Sequence, residues 1–260
     1  MASNTATHDA TIADQFTRQA SGFAAAPELH NDAVLALLTD AAHPKPSDRM
    51  LDVACGPGSV VAAFAPLVLH AEGVDATPAM LAEARKLAAT KNLRNIGFRN
   101  SSAYQLPYRD ASFDIVATRF AFHHLEDPPA AFAEIVRVAR PGARIVLCDG
   151  VASDDPVKAL AFNEMERFRD PSTVDFRTVG YLHDLFRTAG LPNPLITRFQ
   201  VPYLAETLVA HSFPVRDDRA GLMRLIEQSV AGDLLAMNAH RSPKGIHLAY
   251  QAVVLVSERP

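Results

Sequence analysis

The chain has no tryptophan, only 2 cysteines in 260 residues, and no excess of positive charge: 25 lysines and arginines stand against 29 aspartates and glutamates, a formal net charge of −4. Each shortage removes a class of function. Cys55 and Cys148 lie far apart, each inside an apolar run, so neither a disulfide framework nor the close Cys/His spacing of a metal site is present, and no metal is expected. Without a basic field, counterion release has no source, and a small-molecule partner is favoured over nucleic acid. No hydrophobic run reaches the roughly 18 residues that a membrane span requires. Residues 1–20 also lack the basic-then-apolar pattern of an export signal, so a cytoplasmic protein is expected.

What remains is ordinary globular material, 48% hydrophobic and 21% charged, sized for one main domain. Residues 1–9 are small and polar. Ala10 to Leu38 carries apolar positions at helical spacing, interrupted from Gly22 to Pro27, which predicts two short helices ahead of the core. His43-Pro44-Lys45-Pro46 cannot continue a helix and leads into a strand at 49–54. Elements then alternate: helix 58–70, strand 71–75, helix 77–91, strands 96–100 and 113–118, helix 128–139, strand 143–149. Thr77-Pro78 and Asp127-Pro128 mark two helix starts. Such alternation predicts right-handed crossovers and a mostly parallel sheet with helices on both faces. Helices at 155–170 and 178–189, a strand at 195–202, a helical stretch from 203 to 241 and a strand at 246–257 follow. The last two strands, separated by a helical insert, suggest an antiparallel addition at the sheet edge.

Function is concentrated in Leu51-Asp52-Val53-Ala54-Cys55-Gly56-Pro57-Gly58, followed by Gly73-Val74-Asp75. An apolar strand runs into a glycine turn and then a helix, and the acid stands where a second parallel strand ends. This is the pattern of a nucleoside pocket, with glycines for close backbone approach and a carboxylate for a ribose diol. Asp75 has a second reading, as a cap for the helix beginning at Thr77-Pro78. A dinucleotide site would carry a third glycine where Val61 stands, together with a phosphate cradle at the helix start.

These motifs are completed by Leu106-Pro107-Tyr108-Arg109-Asp110-Ala111-Ser112-Phe113-Asp114-Ile115-Val116, His123-His124-Leu125-Glu126-Asp127-Pro128 and Glu134-Ile135-Val136-Arg137-Val138-Ala139-Arg140-Pro141-Gly142. With them in this order, the chain resembles the class I S-adenosylmethionine-dependent methyltransferases, in particular the branch around the ubiquinone and menaquinone biosynthesis enzymes. The resemblance is specific over roughly residues 48–150 and loose beyond. It implies an α/β, Rossmann-like, doubly wound, seven-stranded mostly parallel sheet with an antiparallel C-terminal edge strand. Residues 1–46 would form an N-terminal helical lid, 47–150 the S-adenosylmethionine-binding core, and 151–260 the rest of the same domain with a helical acceptor-site insert.

The implied cofactor is S-adenosylmethionine, leaving as S-adenosylhomocysteine. Its contacts would be Ala54, Cys55, Gly56, Pro57, Gly58, Asp75, Ala76, Met80, Ser102, Ala103 and Arg119. Two positions depart from the family pattern: Ser102-Ala103 replaces an acid beside alanine, which weakens the expected adenine contact, and Ala54 replaces a glycine. Arg119 can bind the cofactor carboxylate or an anionic substrate, or join a surface ion pair.

Methyl transfer needs alignment and desolvation more than a nucleophilic side chain. An acidic phenol, enol or thiol acceptor would gain from a base, and His123 and His124 are the catalytic candidates; pocket lining or helix capping is the alternative reading. Phe16 and Phe23, with His30, would fold over the site as substrate-facing lid residues, or simply pack a helix on the sheet. Phe120 and Phe122 predict an aromatic-lined acceptor cavity. Arg167, in the polar segment 163–170, is a further substrate candidate, although mixed-charge helices usually face solvent. The apolar residues of 203–241, Met223 and Met237 among them, read as core or homodimer contacts. The expected partner is a small aromatic or heteroaromatic acceptor, in a role compatible with secondary metabolism. A nicotinamide-dependent oxidoreductase and a non-catalytic S-adenosylmethionine-binding protein are the alternatives.

Overall fold

A computed structural model describes residues 11, 12, 14–20 and 32–260; Phe23 and His30 lie outside the described residues. Strands β1 (Arg49–Val53), β2 (His70–Asp75), β3 (Ile96–Asn100), β4 (Phe113–Arg119), β5 (Ala139–Gly150), β6 (Leu195–Leu204), β7 (His240–Ser242) and β8 (Gly245–Glu258) form one sheet. Their order is β3-β2-β1-β4-β5-β8-β6, with the short β7 paired to β8. The first five strands are parallel, and β8 runs antiparallel to both β5 and β6. The expected mostly parallel sheet is therefore present, with β7 as an eighth, three-residue strand. The antiparallel C-terminal strand sits one place in from the edge. Its Val253, Val254 and Leu255 are fully buried, so it is flanked on both sides and β6 takes the rim.

Alternation along the strands divides the core. On one face Met50 and Ile115 pack with Val34 and Leu38 of α1 (Asp32–Ala42) and with Phe64 of α2 (Ser59–Phe64). α3 (Pro78–Thr90) adds Leu81 to this layer. On the other face Leu51 and Val116 pack with Phe132 and Ile135 of α4 (Pro128–Val138). A third cluster joins α5 (Pro156–Arg169) to the start of β8, and α6 (Val179–Thr188) returns to the sheet through Leu182 and Phe186. α7 (Ala205–Ala210) and α8 (Arg219–Ser229) complete the third cluster with Leu208 and Leu222.

Three local differences from the sequence reading have physical causes. The helix expected over 58–70 ends at Phe64, because Pro66 turns the chain into a 3-10 turn at Ala65–Leu67. Thr77 occupies the N-cap position before Pro78 but makes no side-chain capping bond there. The stretch 203–241 is not helical to its end: Gly232, Asp233, Ala236 and Asn238 all have positive φ, and the Asp233 carboxylate accepts the Met237 and Ala239 N–H groups in a compact turn leading into β7.

The sheet order reverses between β2-β1 and β4-β5, which opens a crevice at the carboxyl ends of β1 and β4. Gly58 fixes how closely α2 and α3 meet beside it. Its φ is +84°, and a Cβ there would stand 2.9 Å from the Ala84 Cβ, in a place with no flexible neighbour to give way. Gly58→Ala is expected to cost about 1–3 kcal/mol from left-handed strain and overlap, read as a lower urea midpoint at unchanged m-value.

Candidate functional site

The turn after β1 is built from residues of unusual backbone conformation, with Ala54 at φ 57°, Gly56 at 51° and Gly58 at 84°. Cys55 N–H continues the β1 pairing by donating to the Val74 carbonyl at 2.9 Å, and Gly58 N–H closes the turn on the Cys55 carbonyl at 3.0 Å. A Cβ at Gly56 would meet nothing within 4 Å, so this residue faces open space. Asp75 stitches the turn to the neighbouring strand: Gly56 N–H donates to its Oδ2 and Thr77 N–H to its Oδ1, each at 2.8 Å. The reading of Asp75 as a cap for the helix starting at Thr77-Pro78 is thus met through the Thr77 N–H. Burial raises its pKa against the pull of these two N–H groups and of the Thr77 side chain.

Above this turn lies a cavity of about 290 Å³. Ala54, Cys55, Gly56, Pro57, Asp75, Ala76, Met80, Ser102, Ala103 and Arg119 all border it, as do Phe16 and Phe120. Gly58 does not; its role is the α2–α3 approach described above. The Cys55 thiol is buried, with its pKa pushed well up, and stays protonated as a small filler. Ser102 Oγ accepts the Tyr104 N–H at 3.2 Å, which leaves the hydroxyl hydrogen available on that wall.

A residue that the sequence reading missed lies at the back of this cavity. Asp52 is 1% exposed, and neither carboxylate oxygen has a hydrogen-bond partner; the Arg119 Nη1 is likewise buried without one. Burial pushes the Asp52 carboxyl up to about 8 and lowers Arg119. A surface ion pair is thereby excluded for Arg119, whose guanidinium lies 5.2 Å over the Phe120 ring. The detectable signal was a carboxylate within the otherwise apolar run Met50–Val53 of a central strand. A buried acid without partners and a neighbouring guanidinium whose buried Nη1 has none fit the ammonium and carboxylate of an amino acid, and Asp75 fits a diol: together they suit S-adenosylmethionine.

A second cavity, also about 290 Å³, adjoins the first and shares Phe16, Phe120 and His124 with it. His123 lies on its wall. The His123 Nδ1 is 2.6 Å from Asp149 Oδ1, its main-chain N–H donates to Asp149 Oδ2 at 3.1 Å, and its ring stacks on Phe176 at 4.1 Å and 13°. The His124 Nδ1 lies 3.1 Å from the Ser172 carbonyl; burial and the neighbouring His123 lower its pKa to about 3, so the ring is neutral. Phe16 meets this ring edge-on at 4.9 Å, which places helical residues 14–20 over both cavities. Phe120 is held at φ 53° by its N–H bond to the Cys148 carbonyl, a strained conformation for an aromatic residue.

Two substrate candidates do not face this space. Phe122 turns into the core, 6.2 Å edge-on from Phe132, because it points the opposite way from Phe120 in the turn. Arg167 donates to the Val174 carbonyl at 3.1 Å and pairs with Asp175, away from both cavities. Arg169 and Asp170, two and three residues on, line the second cavity instead.

The raised Asp52 pKa has a consequence for stability. A carboxyl whose folded pKa is raised from 3.8 to about 8 binds a proton more readily in the native state. Its contribution is therefore full at low pH and is lost as pH rises through 8. Asp52→Asn, a mimic of the neutral carboxyl, is expected to match the wild-type melting temperature near pH 3, to exceed it progressively as pH rises from about 4, and to reach its full advantage of several degrees above pH 8, measured by thermal unfolding without ligand.

Residues 51–147 match a family model described as "Methyltransferase domain". An uncharacterized methyltransferase, YcgJ of Bacillus subtilis, is 34% identical over 168 residues, covering 65% of this chain and 66% of that one. Its crystal structure superposes with a TM-score of 0.81 at 26% identity, over 88% of this chain and 99% of the other. The demethylmenaquinone methyltransferase of Clavibacter sepedonicus is 34% identical over 136 residues, 52% of this chain and 55% of the relative. The chain thus spans between about half and two thirds of the length of these curated relatives. A geranyl diphosphate C-methyltransferase from Streptomyces coelicolor, solved with S-adenosyl-L-homocysteine, shares the fold at TM-score 0.64 and 16% identity over 88% of this chain and 79% of the other. With the glycine turn, the Asp75 bridge and the 3-2-1-4-5-8-6 sheet in place, the chain belongs to the class I S-adenosylmethionine-dependent methyltransferases.

Proposed function

We propose that the protein transfers a methyl group from S-adenosylmethionine in the first cavity to a small aromatic or heteroaromatic acceptor in the second. The observation that carries this reading is the shared wall. The two cavities meet at Phe16, Phe120 and His124, so a donor seated over Gly56 and an acceptor seated against Phe176 and Tyr250 are neighbours. Rings also dominate the acceptor side: Tyr250 contacts Phe176 at a centroid distance of 6.3 Å and Tyr203 at 5.5 Å, and Phe162 of the core backs Phe176 at 5.1 Å. The name of the Clavibacter relative, a demethylmenaquinone methyltransferase, supports an acceptor of this kind.

When bound, the donor supplies an electrophilic methyl carbon on a sulfonium. The chain supplies the remainder. Asp75 would hold the ribose hydroxyls, Asp52 and Arg119 the amino-acid end, and the wall of Ser101 to Tyr104 the base. Charge is neutralised as the methyl moves, so a dry, prealigned site lowers the barrier. Residues 14–20 close over that site as part of a lid contributed by 1–46, with 47–150 as the donor core and 151–260 supplying the acceptor insert. His123 is the group placed to receive a proton, while His124, its pKa lowered to about 3 by burial and by His123, lines the wall shared by the two cavities.

A nicotinamide reading is disfavoured because Val61, fully buried within the six-residue α2, stands where a dinucleotide site takes its third glycine for close helix–strand packing. Calorimetry is expected to show S-adenosylhomocysteine binding and none for NAD. Asp75→Ala should weaken the former roughly 10- to 100-fold, the loss expected for hydrogen bonds to a charged group, about 1.5–3 kcal/mol. Incorporation of labelled methyl from S-adenosylmethionine into a small-molecule extract tests turnover; binding without incorporation would leave a non-catalytic binding protein.

A further inference from the structure

The second cavity carries a more specific chemistry. Among its described lining residues, Arg169 is the only arginine or lysine. That charge is already committed: Arg169 Nε lies 2.9 Å and Nη2 2.8 Å from Glu166 Oε2, with Nε also 3.1 Å from Oε1. Glu166 is 0% exposed and accepts a further hydrogen bond from the Tyr250 hydroxyl. Capturing an anion would pull Arg169 away and leave Glu166 buried and unpaired, at large cost. Asp170 adds negative charge nearby. Burial alone would raise its pKa, but Arg169 and the Ser172 N–H and O–H outweigh that and hold it ionised.

The imidazoles divide the remaining work. His124, neutral and with its Nδ1 turned to the Ser172 carbonyl, is too weakly basic to take a proton near neutral pH. His123 is wired differently. Asp149, 1% exposed, holds the His123 Nδ1 and main-chain N–H and also accepts the Gly150 N–H at 2.7 Å, so this carboxylate cannot swing away. The Nδ1–H points to Asp149, leaving Nε2 as the basic nitrogen. Phe176 fixes the ring plane, and Phe176 is in turn clamped by Asn163, whose amide accepts its N–H at 2.7 Å and donates to its carbonyl at 3.1 Å. Gly150 makes room for that ring: a Cβ there would stand 2.5 Å from Phe176 Cε1.

Resting on the donor and acceptor assignment above, we infer that the second cavity takes an uncharged, planar acceptor bearing an acidic hydroxyl, a phenol or enol, with His123 as its base and Asp149 as the positioning residue. The acceptor O–H bond breaks and the proton passes to His123 Nε2. The electron pair so released forms the new bond to the methyl carbon, at oxygen or at a conjugated ring carbon, while the C–S bond breaks with its pair kept on sulfur. Acceptors carrying a phosphate or diphosphate are rejected.

The test uses the full chain loaded with S-adenosylhomocysteine, with 4-nitrophenol and 4-nitrophenyl phosphate as probes near pH 6. Calorimetry with S-adenosylhomocysteine on every variant establishes that its donor site is intact. The wild type is expected to bind 4-nitrophenol and to enhance the phenolate absorbance band. His123→Gln should bind it with a phenolate-to-phenol ratio at least about tenfold lower, one pKa unit of lost stabilisation. Asp149→Asn should fall between the two, and 4-nitrophenyl phosphate should bind at least about tenfold more weakly than the phenol. Equal binding of the phosphate ester, an undiminished phenolate band in His123→Gln or Asp149→Asn, or no 4-nitrophenol binding to the loaded protein would overturn the inference. Failure of the wild type to bind S-adenosylhomocysteine would instead remove the donor reading on which the inference rests.

Discussion

The carboxylate of Asp75 carries the donor half of the site. By accepting one N–H from the glycine turn and one from the start of the next helix, it locks together the ends of two neighbouring parallel strands. The positive φ of Gly56 and the open space in front of it have a use only if that turn stays where Asp75 holds it. Everything bordering the first cavity is placed relative to this bridge.

Around it the protein keeps groups that a stability-driven core would not retain. Both Asp52 carboxylate oxygens and the Arg119 Nη1 are buried without hydrogen-bond partners at the carboxyl ends of adjacent strands, and Ala54 and Phe120 hold left-handed backbone conformations. Unpaired buried charge and backbone strain each cost free energy, and both are concentrated at one crevice. A zwitterionic ligand end would satisfy the first cost directly, which links ligand binding to the pH dependence of the empty protein.

The acceptor side is organised by polar links between distant parts of the chain. Gln19 reaches Asp170 at 3.3 Å, Ser172 connects Asp170 to His124, and Tyr250 reaches Glu166. The helical residues over the cavities, the turn after β4, α5 and the terminal strand thus share one network. Glu166 neutralises Arg169 inside it, so the cavity presents ring faces, the Asp170 carboxylate and the oriented His123 imidazole.

Residues 49–150 were largely legible as sequence, because a strand, a glycine turn and a capped helix are local patterns whose period and punctuation appear in a short window. Asp75, the His123–His124 turn and the elements around them followed from that. Beyond residue 150 the pattern weakened: the strained turns at 232–238 ended a helix that composition alone would have continued. Side-chain direction was the other limit. Phe120 borders the cavities while Phe122 is core, and Arg169 is on the wall while Arg167 pairs outside, although each pair differs by only two positions. The amino-acid order alone determined the donor-site framework, since hydrogen bonds within and between adjacent βα units define it. Only the tertiary structure decided the acceptor site, because the pairing of His123 with Asp149, 26 residues away, and of Glu166 with Tyr250, 84 away, depends on how separate elements pack across the sheet.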